Sequence, residues 1–107
     1  MPREQLGELE QQVLIALLHA GPKAYSVPIV EELEERTGRE VATAAVYIVL
    51  RRLEEKGLVR SALGPPEAAE GGRDRRYFTM TPQGVQRLRE VRTVWRRLWD
   101  GVDPMLG

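Results

Sequence analysis

Residues 46–63, VYIVLRRLEEKGLVRSAL, change their hydrophobic period part-way along. Val46, Val49, Leu50 and Leu53 recur at steps of three and four, which places them on one buried stripe of a helix. That helix is expected from Thr43 to Lys56, with Gly57 as its C-terminal cap. From Leu58 to Leu63 the pattern turns to alternation, the mark of a strand. The helix presents Ala44, Tyr47, Ile48, Arg51 and Arg52 on its other face, so two large groups sit where solvent is the usual neighbour.

Upstream, Leu6, Leu9, Val13, Ala16, Leu17 and Ala20 form an apolar helical face that Gly21-Pro22 ends. A second helix is expected to open at Ser26, whose side chain would accept a first-turn amide, with Pro28 tolerated in that turn. It buries Ile29, Val30 and Leu33, shows Glu31, Glu32, Glu34 and Glu35 to water, and closes at Thr37-Gly38. Downstream, Arg75–Met80 read as a second strand, with Phe78 and Met80 on one face and Tyr77 and Thr79 on the other. Gly64-Pro65-Pro66 and Gly71-Gly72 bracket a long hairpin loop, which its length predicts to be mobile. Thr81 caps and Pro82 opens a last helix reaching about Asp100. Its residues Leu88, Val91, Trp95, Leu98 and Val102 keep the three-four spacing of a coiled-coil seam, which Trp99 widens.

Composition removes most other function classes. A chain of 107 residues fits one modest core, and one this small gains from a partner subunit. There is no cysteine, hence no disulfide, no zinc finger and no thiol nucleophile, and the single histidine, His19, sits at a helix end. The apolar run Val13–Leu18 has six residues, against the roughly 18 that a membrane span needs. No signal-peptide core follows Met1–Leu9, and the expectation is a cytoplasmic protein that is not an enzyme and carries no cofactor or metal. The four glutamates of the second helix have no histidine beside them and read most simply as a solvated face.

Helix, helix, helix, hairpin, helix is the order of a winged helix-turn-helix. The expected fold is therefore mainly α with a two-stranded β wing, residues 1–80 forming the DNA-binding domain and 81–107 a C-terminal dimerisation helix. A net charge of zero hides a polarity: residues 1–50 carry four basic and eight acidic groups, residues 51–107 twelve and eight. A local basic field is what phosphates meet, so a chain neutral overall can still bind DNA. The candidate DNA-binding residues are Thr43, Ala44, Tyr47, Ile48, Arg51 and Arg52 on the third helix and Arg73, Arg75 and Arg76 on the wing. Each has a plainer alternative. Tyr47 can be a half-buried packing aromatic, Arg51 and Arg52 can pair with Glu54 and Glu55, and the wing arginines can keep an edge strand soluble.

The segments LGELEQQVLIALL (6–18), AYSVPI (24–29), AVYIVLRRLEEKGLV (45–59) and GGRDRRYFTMTPQG (71–84) resemble the PadR-family transcriptional regulators, over residues 6–100 in all. The single C-terminal helix ending in Leu98-Trp99-Asp100-Gly101 is similar to the compact branch of that family. The resemblance implies a homodimeric repressor that binds a pseudo-palindromic operator in double-stranded DNA and is released by a small molecule. Family members usually cap the third helix with Ser and carry Gly two residues on; here Ala42 and Ala44 stand there, which passes the cap to Thr43. Asp74 stands at a wing position that is usually basic.

Leu88, Val91, Trp95, Leu98, Trp99 and Val102 are the candidate dimer interface, since a lone amphipathic helix beyond a closed three-helix core has no second core to cover. Trp95 can alternatively pack within its own subunit, or add a platform for a flat aromatic effector. The rival function is a winged-helix protein-interaction module without DNA binding, suggested by the zero net charge and the acidic second helix.

Overall fold

A computed structural model describes residues 5–22, 24–65 and 75–107. The chain order is α1 (Glu8–Ala20), α2 (Ser26–Thr37), α3 (Thr43–Glu55), β1 (Val59–Gly64), β2 (Arg75–Met80), α4 (Pro82–Trp99) and α5 (Asp103–Leu106). The architecture is mainly helical with one antiparallel two-stranded sheet, in which Val59 pairs with Met80 and Gly64 with Arg75.

The apolar stripes meet in one core. Val13, Leu14 and Leu17 of α1, Ile29 and Leu33 of α2, and Val46, Leu50 and Leu53 of α3 are buried together with Val59 and Phe78 of the sheet. Phe78 is the largest fully buried side chain. Its backbone N–H donates to the Ala24 carbonyl at 2.8 Å, so the extended residues before α2 lie against β2 and tie the sheet to the helices.

The structure corrects one expected cap. Tyr25, not Ser26, occupies the cap position of α2, and no side chain caps the helix. The chain is extended only through Tyr25 and turns helical at Ser26, one residue too early for Ser26 to serve as the cap. Thr43 is likewise inside α3 rather than capping it; Ala42 holds the cap position without a side-chain bond. β1 begins at Val59 and not Leu58, because the Leu58 N–H is spent on the Leu53 carbonyl at 3.0 Å in closing α3, around Gly57 at φ +78°. The α1 helix begins at Glu8 rather than Leu6, with Glu10 turning back to accept the Gly7 N–H at 2.8 Å.

The start of α4 is fixed closely. Thr81 Oγ1 accepts the Gly84 N–H at 3.0 Å, as its cap role requires, and donates to the Gly57 carbonyl at 2.7 Å. Gly84 is buried, and a Cβ there would overlap the Leu58 carbonyl oxygen and lie 2.8 Å from the Met80 sulfur. This glycine lets the helix backbone rest directly on the sheet. Leu88 and Val91 follow it onto the core, and beyond them α4 buries nothing. The helix ends at Trp99, so Val102 falls past the break at Gly101 (φ +80°) and does not continue the seam; the short α5 was not expected. The predicted loop with Gly71-Gly72 and Asp74 lies outside the described residues.

Candidate nucleic-acid interface

The outer face of α3 is open along its length. Thr43, Ala44, Tyr47, Ile48, Arg51 and Arg52 are all exposed, Ile48 to 58%. Tyr47 is held in place from beneath, its ring edge-on to Phe78 with centroids 6.1 Å apart. The ring packs on Phe78 while the residue remains 38% exposed.

Strand alternation divides the wing arginines. Arg76 points to the α3 side, where its Nη1 donates to Ser61 Oγ at 2.9 Å. Arg75 points to the opposite side, its guanidinium 3.8 Å from the centre of the Tyr25 ring, which in turn meets Tyr77 edge-on. Arg75 and Arg76 therefore lie on opposite faces of the wing, as neighbours on a strand do. Arg73 lies outside the described residues.

Arg51 meets Glu54 directly, and Arg76 reaches it through the Ser61 hydroxyl. Glu54 takes the Ser61 N–H at 2.8 Å and the Ser61 hydroxyl at 2.7 Å on one oxygen, and Arg51 Nη1 at 3.0 Å on the other. The partner of Arg51 is thus Glu54, three residues on, rather than Glu55. The Ser61 hydroxyl bond, the Ser61 backbone N–H and the Arg51 and Arg76 charges outweigh the cost of burial and hold the Glu54 carboxyl below its ordinary range. Arg52 lies instead towards Glu10 and Lys56, where its charge helps to keep Glu10 ionised.

The Glu10–Lys56 pair was not anticipated. Lys56 Nζ lies 2.7 Å from Glu10 Oε2 across 46 residues of sequence, clamping the end of α3 to the start of α1. Burial raises the Glu10 pKa, but the Lys56 bond, the Gly7 N–H and the charges of Lys56 and Arg52 bring it below the usual carboxylate value. The capping role of Glu10 was available in the sequence as Gly-x-x-Glu before an apolar run; its distant lysine was not.

A second surface is apolar. Trp95, Leu98 and Trp99 of α4 are exposed to 49%, 62% and 50%, with Val94 beside them. Trp95 Nε1 donates to Gln11 Oε1 at 3.2 Å, so its ring edge is tied to its own α1 while its face stays open. Between α1 and α4 runs a groove of about 1010 Å³, lined by Ile15, Leu18, Leu88, Val91 and Trp95 among others. Among the described residues no group of three His, Cys, Asp or Glu side chains could hold a metal ion, and no helix is long and apolar enough to cross a membrane.

Residues 13–90 match the profile of the transcriptional regulator PadR-like family. The chain belongs to that family. Among solved structures it is similar to a PadR family transcriptional regulator from Eggerthella lenta, at 31% identity and a TM-score of 0.69, over 92% of this chain and 86% of that one. A PadR family transcription regulator from Clostridium difficile matches at 25% identity and a TM-score of 0.67, over 91% and 98%. A PadR-like regulator from Bacillus cereus shares the fold at 21% identity and a TM-score of 0.73, over 92% and 90%. The chain is accordingly a PadR-family transcriptional regulator with the winged-helix fold.

Proposed function

We propose that this PadR-family protein is a cytoplasmic homodimeric repressor that binds a pseudo-palindromic operator in double-stranded DNA. The observation that carries it is the open face of α3, whose Tyr47, Ile48 and Arg51 stand beside Arg76 of the wing. A helix of this width fits the major groove. Ala44 and Ile48 are suited to thymine methyl groups and Arg51 to a guanine edge, with Thr43 near the helix entry. The Tyr47 hydroxyl, Arg52 and Arg76 would meet phosphates, with Arg73 and Arg75 as further candidates on the wing.

Residues 81–107 form the dimerisation part. Exposed Trp95, Leu98 and Trp99 supply the apolar anchors, with Leu88, Val91 and Val102 at the margin. Pairing through α4 would set the two α3 helices about one helical turn, roughly 34–36 Å, apart. The groove beside Trp95 would take a flat aromatic effector that releases the DNA.

Band-shift titration of operator DNA over a salt series tests the reading, because several Arg–phosphate contacts per protomer make affinity fall steeply with salt. A flat salt response contradicts it. For the effector, planar aromatics should quench Trp95 fluorescence and weaken operator binding together; quenching at unchanged affinity removes the effector and leaves the repressor.

A further inference from the structure

Glu54 is an unusual neighbour for a surface that has to meet phosphates. It lies in the last turn of α3, three residues after Arg51, and stays partly covered between that helix and β1. Its two oxygens are used differently. One accepts both the backbone N–H and the hydroxyl of Ser61, and the other faces Arg51 Nη1. The Ser61 hydroxyl spends its single hydrogen on Glu54, so its lone pairs are free to accept from Arg76 Nη1 at 2.9 Å. Arg76 thus reaches Glu54 through Ser61 while Arg51 donates to it directly, in one set of bonds that crosses from the wing to the third helix. Two guanidinium groups share one carboxylate.

We propose that Glu54 is a specificity-setting positioning residue: through Ser61 it holds Arg51 and Arg76 as one preset unit and cancels one of their two charges. The inference rests on the DNA-binding function proposed above. A mobile, fully charged arginine gains from any phosphate, and random DNA offers phosphates everywhere. An arginine already held by a carboxylate gains little from a stray phosphate, since that contact replaces one ionic partner with another. At a matching site the preset pair reaches base edge and backbone together, with less side-chain freedom left to lose. Glu54 therefore lowers affinity for random sequence more than for the operator.

The test uses the full-length protein, the Glu54→Gln variant and two labelled duplexes of equal length. One is random in sequence, and the other is enriched by repeated selection with the wild-type protein. Removing one negative charge about 8 Å from a phosphate in water is worth roughly two- to threefold, and a dimer has two such sites. Random-duplex binding by Glu54→Gln is expected to tighten about fivefold at low salt, and its salt slope to steepen by up to about 0.9 for each protomer. The ratio of selected to random affinity should shrink by up to about fivefold. Affinities that fall in parallel on both duplexes, with an unchanged slope, would overturn the proposal and leave Glu54 as fold support only.

Ser61→Ala gives an independent arm, and it decides the matter if Glu54→Gln does not fold. It breaks the link to Arg76, together with a longer 3.5 Å bond from Arg51 Nη1 to the same hydroxyl, and leaves the Arg51–Glu54 ion pair in place. Discrimination should drop about threefold, and Arg76→Ala should then cost selectivity in the wild type but little in the Ser61→Ala background. Equal losses in both backgrounds contradict the relay. A wild-type protein that binds neither duplex overturns the DNA-binding function itself, and this inference with it.

Discussion

The two halves of α4 differ in how they are covered. From Thr81 to Val91 the helix is fastened to its own subunit by a cap, a glycine on a backbone carbonyl and two apolar side chains on the core. From Val94 to Trp99 it exposes four large apolar residues in succession around the helix. The first half explains why the helix leaves the winged domain in one fixed direction. The second half shows what a chain looks like where its own residues do not finish the packing, and charged groups elsewhere sharpen the contrast. Arg51, Arg76 and Lys56 find carboxylate or hydroxyl partners within the subunit, whereas the exposed tryptophan faces have no such option.

That contrast can be broken from either side. Replacing Leu98 and Trp99 together by Glu should weaken dimerisation by about a thousandfold or more, since buried aromatic anchors dominate interfaces. Sedimentation over a concentration series measures it, and the urea midpoint of the monomer should hardly move. A double variant that stays dimeric would place the interface elsewhere.

On the fastened half, Gly84→Ala should cost about 3 kcal/mol by overpacking, because the added methyl meets a backbone carbonyl rather than a flexible side chain. Urea unfolding reads that loss directly. Glu10→Gln should cost about 2 kcal/mol in the same measurement, less than for a fully buried pair because Lys56 keeps some contact with water. Thr81→Ala, which removes the cap and the exposed bond to the Gly57 carbonyl, should cost about 1 kcal/mol.

The carboxylates add a pH dependence with a definite sign. Glu10 and Glu54 both hold folded-state pKa values below their ordinary ones, so the folded protein binds their protons less readily than the unfolded chain. Their stabilisation is fully present above the ordinary carboxylate range and is lost as pH falls through the depressed folded values. Thermal melts should lose stability on acidification across that window. In Glu10→Gln the acid-dependent loss should be smaller than in the wild type.

Much of this architecture was legible in the sequence, because it depends on local period and punctuation. The stripe Val46, Val49, Leu50, Leu53 is buried as its spacing requires, β2 spans the expected residues, and Thr81-Pro82 starts α4 as a capping residue and proline should. The misses have two sources, the local way a helix opens or closes and contacts distant along the chain. Ser26 opens α2 instead of capping it, and Leu58 left β1 to close α3 through a bond to Leu53. Lys56 and Glu10, or Gly84 and Leu58, give no pattern until the fold brings them together. The separation of Arg75 from Arg76 is different. The alternation that sorts Tyr77 from Phe78 applies equally to the two residues before them, so the signal was present.

Hydroxyl-radical footprinting of the wild-type protein on a selected duplex tests the central claim most directly. Two copies joined through α4, each offering its α3 face, predict two protected patches on one side of the DNA, centred about 10–10.5 base pairs apart. Protection of a single patch, or of none, would contradict the account.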